Sequence, residues 1–175
     1  MLTKDMKELI SAFNEQGVEY LLVGGYAFGV HAQPRATKDL DLFIRPNARN
    51  SDAVFRALCK SGAPLGGLTA RDFRDAKTGL QIGVPPNRID ILQQISGVTF
   101  DEAWKDRITA MIESDTPTYV ISRENLIKNK LAAGREQDLL DVKQIRKAVA
   151  YAPEQLTEKT AKPLLKKKKR KEVKR

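Results

Sequence analysis

Any chemistry in this chain would turn on Asp39, Asp41 and Asp90. Asp39 and Asp41 lie in residues 38–44 (KDLDLFI), where Leu40, Leu42 and Ile44 alternate with them at the period of a strand. Alternation puts both carboxylates on one face, opposite those three apolar residues. Two carboxylates aimed together beside apolar neighbours repel each other, and the arrangement is costly without a cation between them. Oxygen ligands of this kind suit a hard divalent cation, Mg²⁺ or Mn²⁺. Asp90 stands as a single acid in a second apolar run, RIDIL. Judged alone it reads equally well as an edge-strand charge or a partner of Arg88 or Arg45. Joined to the Asp39/Asp41 pair, it completes the layout of a two-metal site. In such sites the metals lie about 3.5–4 Å apart and clamp the attacking and leaving oxygens of an in-line displacement.

Ahead of the acid pair, a buried strand at 20–23 runs into Gly24-Gly25 and then a short helix-like piece that carries His31. A glycine pair between strand and helix lets backbone N–H groups approach a phosphate with no Cβ in the way. On its own such a pair marks only a tight turn. Arg35 and Thr37 sit in the loop before Asp39, where phosphate contact and ordinary loop bonding are equally good readings. His31 reads as a packed, hydrogen-bonded residue, because a metal mechanism needs no imidazole base.

These residues need a scaffold, and its elements are legible. Leu2, Met6, Leu9, Ile10 and Phe13 predict an amphipathic helix ended by Gly17. Asn50 or Ser51 can cap a helix that turns Val54, Phe55, Leu58 and Cys59 inward, with a loop following at 61–67. Residues 79–84 and 88–93 predict a hairpin turned by Pro85-Pro86-Asn87. A short helix capped by Thr99 falls within 98–107, and a strand at 119–121 hands over to an N-cap at Ser122. The helix through Leu126, Ile127, Lys130, Leu131 and Ala132 stops at Gly134. A last helix starts near Glu136, with Leu139, Leu140, Val142 and Ile145 on its apolar side. Asp138 and Asp141 are explained there by the helix dipole and pairing with Arg135. The sum is an α+β (α/β) fold: a mixed sheet flanked by helices, with a C-terminal helical layer.

At 175 residues and 41% apolar content, the chain has material for one core. The division is a folded domain at 1–152 and a polar, basic tail at 153–175, the latter disordered when free. Residues 162–175 hold nine Lys/Arg against one Glu, or +8 of the total +9, so the other 161 residues carry only +1. The basic tract Lys166, Lys167, Lys168, Lys169, Arg170 and Lys171 suits a non-specific electrostatic arm for nucleic acid, or else a solubilising terminus. It has no interleaved aromatics with which to stack on bases. The single cysteine forms no intrachain disulfide, and neither a leader nor a bilayer-spanning apolar run is evident. A cytoplasmic location, with no membrane, is the expectation.

The strand–Gly24-Gly25 turn, the Asp39-x-Asp41 pair on the next strand and the distant Asp90 resemble the nucleotidyltransferase superfamily with the DNA polymerase β-like fold. More narrowly, GGYAFGVHAQPRATKDLDLFI, RIDIL and LIKNKLAAGREQDLLDV look like small bacterial nucleotidyltransferases related to the AbiEii toxin family. The likeness covers residues 18–142. Gln33-Pro34 departs from it, since relatives often carry a glycine before the arginine.

The resemblance implies that Gly24 and Gly25 contact the nucleotide phosphates, with Arg35 and Thr37 beside them. It implies that Asp39, Asp41 and Asp90 bind the metal ions, and that Asp90 helps to deprotonate the acceptor hydroxyl. Lys130 would face the triphosphate and offset charge on the departing pyrophosphate. The activity implied is Mg²⁺-dependent transfer of a nucleoside monophosphate from an NTP to an acceptor hydroxyl. RNA, such as a tRNA 3′ end, is the acceptor the tail favours. A toxin–antitoxin or phage-defence setting with a cognate partner protein is what the family suggests. The alternative is a non-catalytic nucleotide- or RNA-binding partner protein on the same scaffold.

Overall fold

The computed structural model describes residues 2–37, 39–74, 79–84, 88–112 and 116–148, with the side chain of Ile112 excepted. The prolyl turn at 85–87 and the basic tail lie outside the described residues. Helix α1 (Lys4–Glu15) starts at Thr3, whose hydroxyl accepts from the Met6 amide, and buries Met6, Leu9, Ile10 and Phe13. Strand β1 (Tyr20–Leu22) is buried throughout and passes through Val23 into helix α2 (Gly24–His31). Strand β2 (Asp39–Ile44) then runs antiparallel to β1.

Helix α3 (Ala48–Lys60) follows, then a 3-10 turn at Ala70–Phe73 and the hairpin pair β3 (Leu80–Ile82) and β4 (Arg88–Leu92). Helix α4 (Phe100–Lys105), strands β5 (Ile108–Ile112) and β6 (Thr116–Val120), and helices α5 (Arg123–Ala133) and α6 (Glu136–Lys147) complete the order. The six strands form one mixed sheet in the order β3-β4-β2-β1-β6-β5. β2 pairs in parallel with β4 on one side, and β1 pairs in parallel with β6 on the other. Two central strands therefore carry the core, and Leu21, Leu22, Leu40 and Leu42 are fully buried. Tyr20, also in the core, satisfies its hydroxyl by donating to Asn14 Oδ1 at 3.0 Å.

The sheet face that carries Asp39 and Asp41 changes character along β2. Phe43 lies on the same side as the two acids, yet it is 1% exposed under α4, where Phe100 meets it edge-on at 5.1 Å. Asp39 and Asp41 sit at the uncovered end of that face and are half-buried.

Several caps match the sequence expectation: Thr99 for α4, Ser122 for α5 and the left-handed Gly134 closing α5. Others do not. α3 is capped by Asn47, whose side chain accepts from the Asn50 amide at 2.8 Å, rather than by Asn50 or Ser51. Asn50 has another task. Buried inside the first turn, it accepts from Glu19 N at 2.8 Å and donates to the carbonyls of Glu19 at 2.9 Å and Arg45 at 3.0 Å. Cys59 is exposed, because Ala53 and Ala57 join Val54 and Leu58 on the inner stripe. Leu139 and Leu140 are 44% and 45% exposed, whereas Asp138 and Asp141 are buried beside Val142 and Ile145. β5 and the 3-10 turn are additions to the sequence reading, and β6 begins earlier than the 119–121 segment.

Asn50→Ala is expected to cost about 2–3 kcal/mol in urea unfolding, since it removes three hydrogen bonds and leaves Glu19 N and Arg45 O without their side-chain partner, while Glu19 O keeps the Arg45 amide and Arg45 O the Asn47 amide. An effect below about 0.5 kcal/mol would show that the bracket is dispensable.

Candidate nucleotide and metal site

The parallel register of β2 and β4 assembles the acids. Asp41 stands opposite Asp90, and Asp39 stands opposite Arg88. Residues paired in this way project to the same side, so the four side chains share one face. β4 is interior to the sheet, with β3 outside it, so Asp90 is not an edge charge. It does pair with Arg88, the structural partner considered from sequence. Arg88 Nη2 donates to Asp39 Oδ2 and, at 3.3 Å, to Asp90 Oδ2. Its Nε lies 3.3 Å from Asp90 Oδ1, within ion-pair range but out of line for a hydrogen bond.

The glycine turn is pressed against this face. Gly24 has φ +62°, and a Cβ there would fall 2.0 Å from Asp41 Oδ2. A Cβ on Gly25 would fall 2.7 Å from Thr37 Oγ1. Both glycines are thus required by close approach, and Gly24 also by backbone conformation. Val23 precedes α2 and supplies no side-chain cap to the first amides of that helix. At its other end His31 donates from Nε2 to the Ile121 carbonyl at 2.7 Å, tying α2 to the end of β6. Burial pushes the His31 pKa down, which keeps the ring neutral as a packing residue.

Crowding shows in the carboxyls. Burial, then the charges of Asp90 and Asp39, push the Asp41 pKa up to about 6, against opposing pulls from Arg135 and Arg88. Burial also raises Asp90, with Arg88 opposing it. Asp39 Oδ1 and Asp90 Oδ1 are buried with no hydrogen-bond partner. Orphaned carboxylate oxygens facing a crowded acid group fit the donor set of a hard divalent cation. The acids are not drawn together, however. Among the described residues no three acidic, His or Cys groups are arranged as a ligand cluster.

With a folded pKa above the ordinary value, Asp41 holds its proton more tightly in the native state. The metal-free protein therefore loses stability as pH rises from about 4 to above 6, by at most about 3 kcal/mol. Asp41→Asn removes that loss. Without divalent ions it should be about 1–3 kcal/mol more stable than the parent at pH 7.5 and no more stable at pH 4. Equal differences at the two pH values would refute the assignment.

Lys130, expected to face a triphosphate, is instead 4% exposed and locked in an ion network between α5 and α6. Its Nζ donates to Asp138 Oδ1 at 3.0 Å and Asp141 Oδ2 at 2.7 Å. Arg35 reaches back from its loop to Asp141 Oδ2 at 3.1 Å, and its guanidinium stands 5.3 Å over the Phe28 ring. Arg135 donates through Nε to Asp138 Oδ2 at 2.6 Å. Burial alone would raise both carboxyls, but bonds from Arg135 and Lys130 hold Asp138 below the usual range, and Lys130 and Gln137 do the same for Asp141. The two acids are thus the centre of a buried network rather than solvent-side helix charges. The missed signal was the stripe 138–141–142–145, which has helical period and places two acids on the inner face.

Sequence reasoning did not link Arg135 to the acid face. Its side chain is 79% exposed, it is held by a buried carboxylate, and its charge acts on Asp41. Asp141→Ala leaves Lys130 buried with only one carboxylate and frees Arg35. It should cost about 3–5 kcal/mol in chemical denaturation, and Lys130→Met added to it should recover part of the loss. Additive losses in the double variant would contradict the network.

A six-stranded mixed sheet in this order, with a glycine turn set against an acid pair, has the fold of the nucleotidyltransferases. The chain belongs to the family described as nucleotidyltransferase of unknown function (DUF6036), whose model matches residues 1–152. Two solved structures are similar to it. One is the solution structure of the antibiotic-resistance factor ANT(2'')-Ia, at TM-score 0.54 and 14% identity, covering 81% of this chain and 80% of that one. The other is the lincomycin-bound lincosamide antibiotic adenylyltransferase LnuA, at TM-score 0.54 and 15% identity, covering 85% and 99%. At these identities the likeness is one of fold. No curated protein matches the sequence. Among the described residues no helix is long and apolar enough to cross a membrane.

Proposed function

We propose that this chain transfers a nucleoside monophosphate from an NTP to an acceptor hydroxyl with the help of Mg²⁺ or Mn²⁺. The observation that carries the reading is the set of Asp39, Asp41 and Asp90 on one face of β2 and β4, pressed against the Gly24-Gly25 turn. In this reading Asp39 and Asp41 hold the metal together with the nucleotide, and Asp90 completes the second position. The bound metal would supply charge stabilisation for the oxygens that attack and leave. The Gly24 and Gly25 amides at the start of α2 would take phosphate oxygens, with Thr37 alongside. Asp90, its carboxyl raised above the usual range, is suited to accept the proton of the acceptor hydroxyl. Arg135 would balance charge on the pyrophosphate in place of the buried Lys130, because its side chain is exposed, and Arg35 could contact a phosphate from its loop.

RNA, for instance a tRNA 3′ end, is the acceptor we favour, because the basic tract 166–171 would bind phosphates without regard to sequence. That tract would form the 153–175 tail beyond a 1–152 domain. A toxin–antitoxin or phage-defence setting, with a partner protein, follows the narrower likeness to the AbiEii relatives. A small-molecule hydroxyl is the second reading, favoured by the fold shared with the two antibiotic-modifying structures.

The test is transfer of α-phosphate label from each NTP, with Mg²⁺, to total RNA or to small alcohols. Asp41→Ala should reduce transfer at least about 100-fold. Removing 162–175 should cut RNA labelling steeply at low salt and by less at high salt, where the tail's contacts are already screened, while leaving a small alcohol unaffected. Nucleotide binding with no transfer to any acceptor would leave the non-catalytic scaffold as the answer.

A further inference from the structure

The acids share a face yet do not converge, and one residue stands between them. Arg88 bonds to Asp39 and to Asp90 with the same Nη2. It projects from β4 two residues before Asp90 and directly opposite Asp39, so the sheet register itself delivers it to this place. Its guanidinium is poorly used there. Nε is buried without a hydrogen bond, as are Asp39 Oδ1 and Asp90 Oδ1. A structural salt bridge between planar groups favours two parallel bonds to one carboxylate. Here Nη2 is shared by two carboxylates, and Nε stands 3.3 Å from Asp90 Oδ1 but out of line for the second bond. The side chain is 30% exposed, so it can leave toward solvent without disturbing the core.

We propose that Arg88 is the resident counter-ion of this acid face and that a divalent cation must displace it. The inference rests on the metal reading given above. One guanidinium bonded to Asp39 and Asp90, with its charge also acting on Asp41, makes the acid face tolerable in the resting protein. It also keeps Asp39 and Asp90 from closing on a common point, which accounts for the lack of a preformed ligand cluster. A free divalent ion competes with a covalently tethered cation and binds weakly. The same ion arriving with a triphosphate brings the anion that the released guanidinium needs. The resting site thus discriminates against bare metal and accepts metal with nucleotide.

Mn²⁺ binding, followed by electron paramagnetic resonance and by thermal unfolding, tests this without reference to turnover. Arg88→Met should bind Mn²⁺ alone at least about tenfold more tightly than the parent, and Arg88→Lys should fall between them. With a non-hydrolysable ATP analogue present, the gap between parent and Arg88→Met should narrow. Without metal, Arg88→Met should melt below the parent, and Mn²⁺ should raise its melting temperature by more than it raises the parent's. Unchanged or weaker Mn²⁺ binding in both variants would overturn the role of Arg88 and leave the metal site standing. Absence of Mn²⁺ binding in parent and variants, analogue included, would overturn the metal reading and this proposal together.

Discussion

Like charges held on one face of two parallel strands are the constraint around which this protein is arranged. The ladder between β2 and β4 sets Asp41 beside Asp90 and allows neither to move away without breaking main-chain pairing. Every neighbouring feature answers that repulsion in some way. Arg88 enters from the same strand as Asp90, the Asp41 carboxyl shifts toward its neutral form, and the charge of Arg135 acts on it from the helical layer. A protein selected only for stability would place apolar residues here, as it does one pleat further on at Phe43 and Leu92. The retained repulsion is a cost of the kind found at functional sites.

A second charged centre, in the α5–α6 layer, is built on the opposite principle. Asp138 and Asp141 are as deeply buried as any core residue, but each is met by cations whose bonds outweigh the desolvation. One centre is satisfied, and the other leaves Asp39 Oδ1 and Asp90 Oδ1 buried without hydrogen-bond partners. Arg135 connects them, since it is anchored on Asp138 and its charge acts on Asp41.

Much of this was readable in the sequence where local periodicity decided the outcome. The alternation around Asp39 and Asp41, the Gly24-Gly25 turn, the RIDIL strand and the caps at Thr99, Ser122 and Gly134 depend on neighbours in the chain. What could not be read was set by distant pairing. No local pattern gives the register that places Arg88 across from Asp39. The inner face of α6 was misjudged because Leu139 and Leu140 outweigh acids on any hydropathy argument, until Lys130 on another helix supplies the compensation. Asn50 was taken for a cap for a similar reason: its side chain is committed to Glu19 and Arg45, beyond its own helix. β5 escaped notice because its apolar residues follow a charged segment with no clear turn signal.

The bond between Arg35 and Asp141 spans 106 residues, and that between Arg88 and Asp39 spans 49. During synthesis, at roughly 5–20 residues per second, the acids of β2 would leave the ribosome several seconds before α6 does. Throughout that interval the nascent chain carries the reactive side chains without the frame that orients them. The acid face is therefore framed in two stages, first when β4 brings Arg88 and then when α6 brings Asp141.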